Sequence, residues 1–304
     1  MTPFPLRGLV AAVHTPFRAD GSLWLDPVER QAAHLLAHGV ETAFVAGTTG
    51  ESHSLTFAER ESLAERWAAV TRGSQLRVVA HVGANALAEA RALAAQAARL
   101  QFAAISALAP SYFKPRSVGI LVESCAQVAA GAPELPFFYY DIPPLTGVHL
   151  PAADFLEAAG DRIPNLGGLK FSHLDLVQFQ QCLRARGGAF EVAWGCDEAL
   201  LAALALGGRG AVGSTYNFLA PVAHRIVRKF EAGDLAGARE EQFRLLEVVQ
   251  CLAAPGYLPA SKWLMKRLGI DVGATRLPLP PLDPPAERRL EEGLGRMGFF
   301  DWIR

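Results

Sequence analysis

Eight short apolar segments of strand length recur along the first 214 residues of this 304-residue chain. They span residues 8–14, 40–46, 76–82, 103–109, 135–140, 166–170, 190–195 and 210–214. Successive segments end mostly 25 to 36 residues apart, which is the length of one strand and one crossover helix. The segments are continuously apolar rather than alternating, and such strands are typical of parallel sheets that are buried on both faces.

Helical patterns fill the intervals between these segments. Residues 26–38 begin with an acidic cap and a proline, and residues 56–70 begin with the capping-box sequence T-F-A-E. Similar patterns occupy residues 87–100, 117–130 and 197–206. Eight units of strand and helix predict a (β/α)8 TIM barrel, with an open, doubly wound parallel sheet as the alternative.

Past residue 220 the strand pattern stops, and helices are predicted at 221–230, 235–252, 259–268 and 286–297. We therefore expect a single domain over residues 1–304, with the barrel at about 8–232 and a C-terminal helical extension at about 233–304. The sequence R-L-P-L-P-P-L-D-P-P at 276–285 precedes the last predicted helix. We interpret it as an extended spacer, with a polyproline ligand for a partner domain as the alternative.

The composition excludes several functional classes. Hydrophobic residues make up 51% of the chain and charged residues 19%, so we expect a large core rather than disorder. The net charge of −1 indicates no basic surface for nucleic acid or an anionic membrane. Neither a membrane span nor a signal peptide is predicted. The 4 cysteines lack the close spacing of metal or disulfide motifs, which favours reduced thiols and a cytoplasmic protein.

In a barrel enzyme the reactive groups lie at the carboxyl ends of the strands. Lys170 ends the sixth predicted strand between Leu169 and Phe171. Lysine is rarely buried without a partner, and a desolvated neutral amine is a nucleophile that condenses with ketones to form a Schiff base. A salt-bridged or snorkelling lysine at a strand end is the alternative.

Other polar groups are expected around the same mouth. Tyr140 ends the neighbouring strand, where it is either a general acid–base or a buried, hydrogen-bonded tyrosine. The G-T-T-G-E loop at 47–51 offers hydroxyls and backbone N–H groups to a carboxylate, or is an ordinary tight turn. Asp197 and Glu198 repel phosphate and suit a neutral polyhydroxylated group, or merely favour a helix N-terminus.

Metal binding is not indicated by the histidines. His34 and His38 are four residues apart on a predicted helix, but the H-E-x-x-H sequence is missing and that helix is expected to lie away from the barrel mouth. Four more histidines fall near strand ends without a readable ligand cluster: His14, His53, His81 and His173. We therefore predict no metal site.

Five motifs, taken in chain order, resemble the dihydrodipicolinate synthase/N-acetylneuraminate lyase family of pyruvate-dependent Schiff-base aldolases. They are G-T-T-G-E at 47–51, Y-Y-D-I-P-P at 139–144, G-L-K-F-S at 168–172, W-G-C-D-E at 194–198 and G-A-V-G-S-T-Y-N at 210–217. The resemblance covers almost the whole chain and implies a TIM barrel. The chain is most similar to the lyase branch, particularly its animal-type form. The synthases carry an arginine shortly after the motif tyrosine to bind a second carboxylate, whereas Pro144 and Leu145 stand here.

The resemblance implies reversible cleavage of N-acetylneuraminate to N-acetylmannosamine and pyruvate. It implies that Lys170 forms the imine and that Tyr140, assisted by Thr49, accepts the proton of the C4 hydroxyl. The implied substrate-binding residues are Thr48, Ser172, Gly195, Asp197, Glu198, Ser214 and Tyr112. No metal or organic cofactor is implied, because the lysine imine is itself the electron sink. Members of the family are usually homotetramers.

Two departures from the lyase pattern bear on specificity. Asp141 stands beside Tyr140 where the lyases often have Asn or His, and Ser52 follows the G-T-T-G-E loop. An aldolase or dehydratase acting on another 2-keto-3-deoxy sugar acid is therefore the alternative within the family. A non-catalytic sugar-acid-binding barrel and an adaptor that uses the proline-rich segment are alternatives of different classes.

Overall fold

The computed structural model describes residues 4–303. Eight parallel strands follow one another in sequence order and close into a barrel, because β1 pairs with both β2 and β8. The strands are β1 Gly8–Ala12, β2 Thr42–Val45, β3 Arg77–His81, β4 Ala104–Leu108, β5 Phe137–Asp141, β6 Leu166–Phe171, β7 Glu191–Trp194 and β8 Gly210–Gly213. Each strand lies within a predicted apolar segment or extends it by one residue. The predicted TIM barrel is confirmed, and the open sheet is excluded.

Helices cover the outside of the barrel and continue beyond it. They are α1 Pro27–Ala37, α2 Phe57–Thr71, α3 Leu87–Arg99, α4 Val118–Ala129, α5 Pro143–Thr146, α6 Ala152–Ala159, α7 Leu176–Arg184, α8 Leu200–Ala205, α9 Ala220–Glu231, α10 Leu235–Ala253, α11 Tyr257–Arg267, α12 Pro284–Met297 and α13 Phe299–Trp302. The sequence pattern did not single out α6 and α7, which have only 8 and 9 residues. Helices this short carry few repeats of the apolar period, so the pattern is weak.

The helix starts test the predicted caps. The capping box before α2 is present, since Thr56 accepts from the Glu59 N–H and the Glu59 carboxylate accepts from the Thr56 N–H. The acidic cap expected for α1 is wrong: Asp26 makes no cap and instead accepts a hydrogen bond from the Trp24 indole at 3.1 Å. Pro27 begins α1 without it, because proline has no N–H to satisfy and its φ is already helical.

Side chains alternate along the strands between the barrel interior and the helical layer. The interior is filled by Val10, Ala12, Phe44, Val79, Ala104, Phe138, Tyr140, Ala193 and Val212. The other face packs against the helices in a larger cluster that contains Tyr139 and Leu169. The Tyr139 ring lies 4.6 Å from that of Phe155 on α6, so Tyr139 and Tyr140 face opposite sides of the strand.

The register between β5 and β6 brings the two candidate catalytic side chains together. Tyr140 pairs directly with Lys170, and Phe138 pairs with Gly168 after a register shift. A shift of one residue moves a side chain to the other face of a sheet. This irregularity therefore places Lys170 on the interior face, beside Tyr140.

The C-terminal helices continue the core of the barrel. Leu245, Val248 and Leu252 of α10 are fully buried in the same cluster as the outer strand faces. This continuity favours the expected single domain; residues 1–3 and 304 of its predicted range lie outside the described residues. Residues 268–283 connect α11 to α12 and contain most of the proline-rich segment, as the spacer interpretation predicts, although a turn closed by the Leu279 N–H and the Arg276 carbonyl (3.0 Å) interrupts that segment. Within the described part of the chain, no helix is long and apolar enough to cross a membrane.

Candidate active site

A cavity of about 410 Å³ opens at the carboxyl ends of the barrel strands. Nine of the predicted site residues line it: Thr48, Thr49, Tyr140, Lys170, Ser172, Gly195, Asp197, Glu198 and Ser214. These residues stand at or just after the ends of β2, β5, β6, β7 and β8, where parallel strands of a barrel converge. The fold therefore assembles five separate sequence motifs around one space.

Among the described residues, Lys170 is the one basic side chain that lines this cavity. Its side chain is only 4% exposed, and Nζ lies 4.0 Å from the centre of the Tyr140 ring and 4.5 Å from that of Phe44. Within residues 4–303, no carboxylate lies within ion-pair distance of Nζ and no hydrogen bond to it is formed. The salt-bridged alternative is therefore wrong for this lysine, and its amine has no bond to give up before it attacks a ketone.

The Tyr140 hydroxyl meets the G-T-T-G-E loop. Thr48 Oγ1 lies 3.1 Å from the phenol oxygen, and either group can be the donor. Thr49 lines the same cavity but makes no such bond. The expected assistance of Tyr140 by Thr49 is thus not what the geometry favours: Thr48 occupies that position, and Thr49 is left facing the substrate space.

Asp197 presents an unsatisfied oxygen in the cavity wall. Thr215 donates two hydrogen bonds to Asp197 Oδ2, from its N–H at 2.9 Å and from Oγ1 at 2.7 Å, whereas Oδ1 has no hydrogen-bond partner among residues 4–303. The residue is 5% exposed, and this burial raises its pKa to about 6. A buried carboxylate oxygen without a donor is costly to the folded protein.

Two glycines leave the room that these polar groups need. A Cβ at Gly213 would lie 1.7 Å from Asp197 Oδ1, and a Cβ at Gly195 would lie 2.0 Å from Ser172 Oγ. Any other residue would displace these oxygens. The contribution of Gly195 is therefore space for Ser172, whose hydroxyl is buried and has no hydrogen-bond partner among the described residues.

The C-terminal extension also contributes to the cavity, which the sequence motifs did not predict. Tyr257, the first residue of α11, lines the cavity with Val249 and Leu258. The Tyr257 hydroxyl lies 2.7 Å from Ser214 Oγ, and burial raises its pKa. No sequence motif around Tyr257 indicates its role, because only the packing of α11 against the barrel mouth brings it to Ser214.

Two residues singled out in the sequence lie elsewhere. Tyr112 is 77% exposed on the loop after β4 and does not line the cavity of its own chain. Asp141 faces away from the cavity: its carboxylate lies 2.9 Å from His173 Nε2 and 3.4 Å from the Tyr139 hydroxyl. Burial raises the pKa of Asp141. Asp141 therefore braces the strand behind Tyr140 and does not contact the substrate space.

The histidines make structural contacts in place of a metal site. His34 Nε2 lies 2.8 Å from the Asn217 carbonyl, and His38 Nδ1 lies 2.8 Å from the His34 carbonyl. One ring nitrogen of each histidine is thus bonded to a backbone oxygen. Among the residues that the structure describes, no group of three or more His, Cys, Asp or Glu is arranged to hold a metal ion.

Known proteins are similar to this chain in both sequence and architecture. N-acetylneuraminate lyase of Rattus norvegicus is 38% identical over 301 residues, which cover 98% of this chain and 94% of that protein. The structure of Proteus mirabilis N-acetylneuraminate lyase superposes with a TM-score of 0.94 at 41% identity and covers 97% of this chain and 99% of that one. The structure of DHDPS from Cyanidioschyzon merolae with lysine bound has a TM-score of 0.89 at 31% identity, and it covers 98% of this chain and 100% of that one.

The Dihydrodipicolinate synthetase family matches residues 5–296, which include every strand of the barrel, α1 to α11 and nearly all of α12. The motifs that suggested this resemblance are the ones whose side chains meet in the cavity. With the barrel, the cavity and the full-length similarity in agreement, the chain belongs to the Dihydrodipicolinate synthetase family.

Proposed function

We propose that this protein is a Schiff-base aldolase that reversibly cleaves N-acetylneuraminate to N-acetylmannosamine and pyruvate. The observation that carries the proposal is the group formed by Lys170, Tyr140 and Thr48 at one end of a cavity whose other wall holds Asp197. An amine without an ion-pair partner beside a phenol and a hydroxyl suits imine formation followed by proton transfer. The similarity to N-acetylneuraminate lyases over nearly the full chain supports this substrate.

In the proposed reaction, the Lys170 amine adds to the C2 ketone of the open-chain sugar acid and water leaves, which gives a protonated imine. Tyr140, linked to Thr48, accepts the proton of the C4 hydroxyl. The C3–C4 bond then breaks: its electrons move into the imine to form an enamine, and C4 becomes the aldehyde of N-acetylmannosamine. Protonation of the enamine at C3 and hydrolysis of the imine release pyruvate and restore Lys170.

The remaining cavity residues suit the two ends of this substrate. The hydroxyls of Thr48 and Thr49 stand near Lys170, where they bind the carboxylate of the pyruvate moiety. Asp197 Oδ1, Ser214 and Ser172 offer hydrogen bonds to sugar hydroxyls, and Glu198 stands at the exposed side of the cavity.

The charge of the cavity favours a neutral sugar over an acid as the partner of pyruvate. Beyond Lys170, the ionisable residues of its lining are Asp197, Glu198, Cys196 and two tyrosines, and none of the described residues that line it is an arginine. Leu145 lines the cavity where the family's synthases carry an arginine. A second carboxylate would face acids without a cation to offset them, so dihydrodipicolinate synthesis is not favoured.

The test of this proposal is pyruvate release from N-acetylneuraminate by purified protein, measured with and without EDTA. We expect release that EDTA does not slow, because the proposed imine is the electron sink and neither a metal nor an organic cofactor takes part. Borohydride should trap pyruvate as a reduced adduct in the intact mass. Lys170→Ala and Lys170→Arg should abolish the adduct; an unchanged adduct would place the imine on another lysine.

Two other results would redirect the assignment. Trapping of pyruvate without cleavage of N-acetylneuraminate would keep the aldolase chemistry and move the substrate to another 2-keto-3-deoxy sugar acid. Binding of sugar acids with neither trapping nor cleavage would favour the non-catalytic barrel.

We also propose that the protein is a homotetramer and that it is located in the cytoplasm. Large apolar side chains project from the loops after β4, β5 and β6: Tyr112 is 77% exposed, Phe113 86%, Leu145 63% and Leu174 66%. Such groups are typical of surfaces that another protein covers. Sedimentation should give four times the chain mass of 32.6 kDa, and a monomer or dimer would contradict the tetramer. The four cysteines are unpaired, in keeping with a reducing compartment.

A further inference from the structure

A buried ion pair joins α11 to the loop that carries Thr48. Lys262 Nζ lies 2.6 Å from Glu51 Oε1, and each side chain is only 1% exposed. Glu51 ends the G-T-T-G-E loop, while Lys262 lies 211 residues later in the C-terminal extension. Neither residue lines the cavity of the candidate active site, and the proposed chemistry uses neither.

Both members of this pair are also held by hydrogen bonds to the backbone. Lys262 Nζ also donates to the Thr15 carbonyl at 2.8 Å and to the Ala274 carbonyl at 3.0 Å. The second oxygen of Glu51 accepts the Arg276 N–H at 2.9 Å. The ammonium group thus donates to two backbone carbonyls beside its ion pair with Glu51, and the carboxylate is held from two sides. Contacts from several directions hold both side chains in a single geometry.

The backbone of the loop is strained where the pair holds it. Ala46 and Glu51, on either side of the loop, have φ values of 55° and 53°, in the left-handed region that residues with a Cβ avoid. Such strain persists only where surrounding contacts hold it. Within the loop, the Glu51 N–H donates to the Thr48 carbonyl at 3.0 Å, and Thr48 Oγ1 meets the Tyr140 hydroxyl. A shift of Glu51 would therefore also shift Thr48, which lies one turn earlier in the loop.

Stability alone is a poor reason for such a pair. Desolvating two charges costs about as much as their attraction returns, and apolar replacements of a buried pair are often neutral or stabilising. We propose that Lys262 and Glu51 are positioning residues: their ion pair holds the 47–51 loop so that Thr48 meets Tyr140, which makes α11 part of the proton-transfer apparatus. This inference rests on the proposed aldolase chemistry, but not on which sugar is the substrate.

Hydrogen–deuterium exchange at the methyl group of pyruvate measures the affected step directly. Lys170 forms the imine with loss of water, a base removes one methyl proton to give the enamine, and a deuteron from the solvent replaces it before hydrolysis. Imine formation is measured separately, as the borohydride-trapped adduct. The proposal predicts that loss of the pair slows exchange and cleavage but spares trapping, because Lys170 stands on β6 and does not depend on the loop.

Three variants remove the pair in different ways. Lys262→Met leaves Glu51 buried and charged, and is expected to be unstable. The double variant Glu51→Gln/Lys262→Met replaces both charges at similar volume. Glu51→Gln keeps the shape of the loop side chain, and burial already lowers the pKa of Lys262 to about 8, so its amine can lose a proton when Glu51 is neutral. These last two variants decide the test if Lys262→Met does not fold.

A second ion pair on α11 provides the matched control. Arg267 and Glu291 join α11 to α12 at 2.7 Å, are 49% and 42% exposed and touch neither the loop nor the cavity. In Arg267→Met/Glu291→Gln we expect exchange, cleavage and trapping to match the unchanged protein. A loss of exchange in this control would overturn the proposal, because any loosening of α11 would then suffice.

In the double variant and in Glu51→Gln we expect exchange and cleavage to fall about 30-fold or more, with trapped adduct within about twofold of the unchanged protein. Exchange within about threefold of the unchanged protein, in variants that fold, would overturn the positioning role. Parallel loss of trapping and exchange would overturn it as well, since the defect would then be general. Failure of the unchanged protein to cleave N-acetylneuraminate, with exchange intact, would refute only the substrate.

Discussion

Asp197 combines a cost in stability with a proposed role in binding, and Asp197→Asn separates the two. Burial raises its pKa from 3.8 to about 6, despite the two hydrogen bonds from Thr215 that favour the charged form. Since each pH unit of difference corresponds to about 1.4 kcal/mol, the charged carboxylate costs the folded state about 3 kcal/mol. Asparagine has nearly the same shape, can still accept from Thr215 and carries no charge.

The cost has a defined dependence on pH. Below about pH 4 Asp197 is protonated in both the folded and the unfolded chain, so the folded chain does not bear the cost of a buried charge. Between about pH 4 and pH 6 the unfolded chain has released the proton while the folded chain keeps it, and the free energy of unfolding falls as pH rises. At about pH 7.5 we therefore expect Asp197→Asn to be more stable by up to about 3 kcal/mol, an advantage that disappears near pH 4.

The same substitution should impair catalysis. The unsatisfied Oδ1 would become an NH₂ group, which cannot accept a hydrogen bond from the sugar. Hydrogen bonds to charged groups contribute about 1.5–3 kcal/mol, so kcat/KM for N-acetylneuraminate should fall about 10- to 150-fold. In the unchanged protein, kcat/KM should decline below about pH 6 as Asp197 takes up a proton, and the variant should lack this decline.

Urea unfolding at about pH 4, 6 and 7.5, together with steady-state rates of pyruvate release, measures both effects. Glu198→Gln is the control: it removes the adjacent but exposed carboxylate, which raises the Asp197 pKa less than burial does, and should therefore stabilise the fold much less than Asp197→Asn. A less stable Asp197→Asn protein at about pH 7.5, or a stability difference that does not change with pH, would refute the argument from burial. A variant with unchanged kcat/KM would remove Asp197 from substrate binding.

Three further experiments test the site. Tyr140→Phe should lower cleavage about 100-fold or more while borohydride still traps pyruvate, and near-normal cleavage would remove Tyr140 from the mechanism. Thr48→Val should slow deuterium exchange into pyruvate about 10-fold more than Thr49→Val, because only Thr48 meets the phenol; equal effects would return Thr49 to the proton-transfer step. Gly213→Ala should raise KM for N-acetylneuraminate and spare pyruvate trapping, since the added Cβ would lie 1.7 Å from Asp197 Oδ1, and an unchanged KM would argue against that oxygen as a ligand.

The regular recurrence of apolar segments predicted the barrel, with an open, doubly wound sheet as the alternative. Segment length, continuous apolar character and spacing are local properties, and eight parallel strands that must all be buried have few ways to pair. Because the strands of a barrel end at one rim, residues at segment ends could also be assigned to one site before any contact was known. Lys170, Tyr140 and Asp197 were found in this way, and all three line the cavity.

Which atoms meet inside that site depended on tertiary structure. Thr48 and Thr49 are neighbours of the same type, and the strained path of the loop decides which hydroxyl reaches Tyr140. Asp141 adjoins Tyr140 in sequence but points behind the strand, because successive side chains of a strand face opposite ways.

Tyr257 and Lys262 carry no local signal at all. They reach Ser214 and Glu51 only because α11 packs across the barrel mouth. A sequence pattern encodes the period of a strand or helix and hence the face on which a residue lies. It does not encode the distances between elements far apart in the chain, which arise only when the whole core packs.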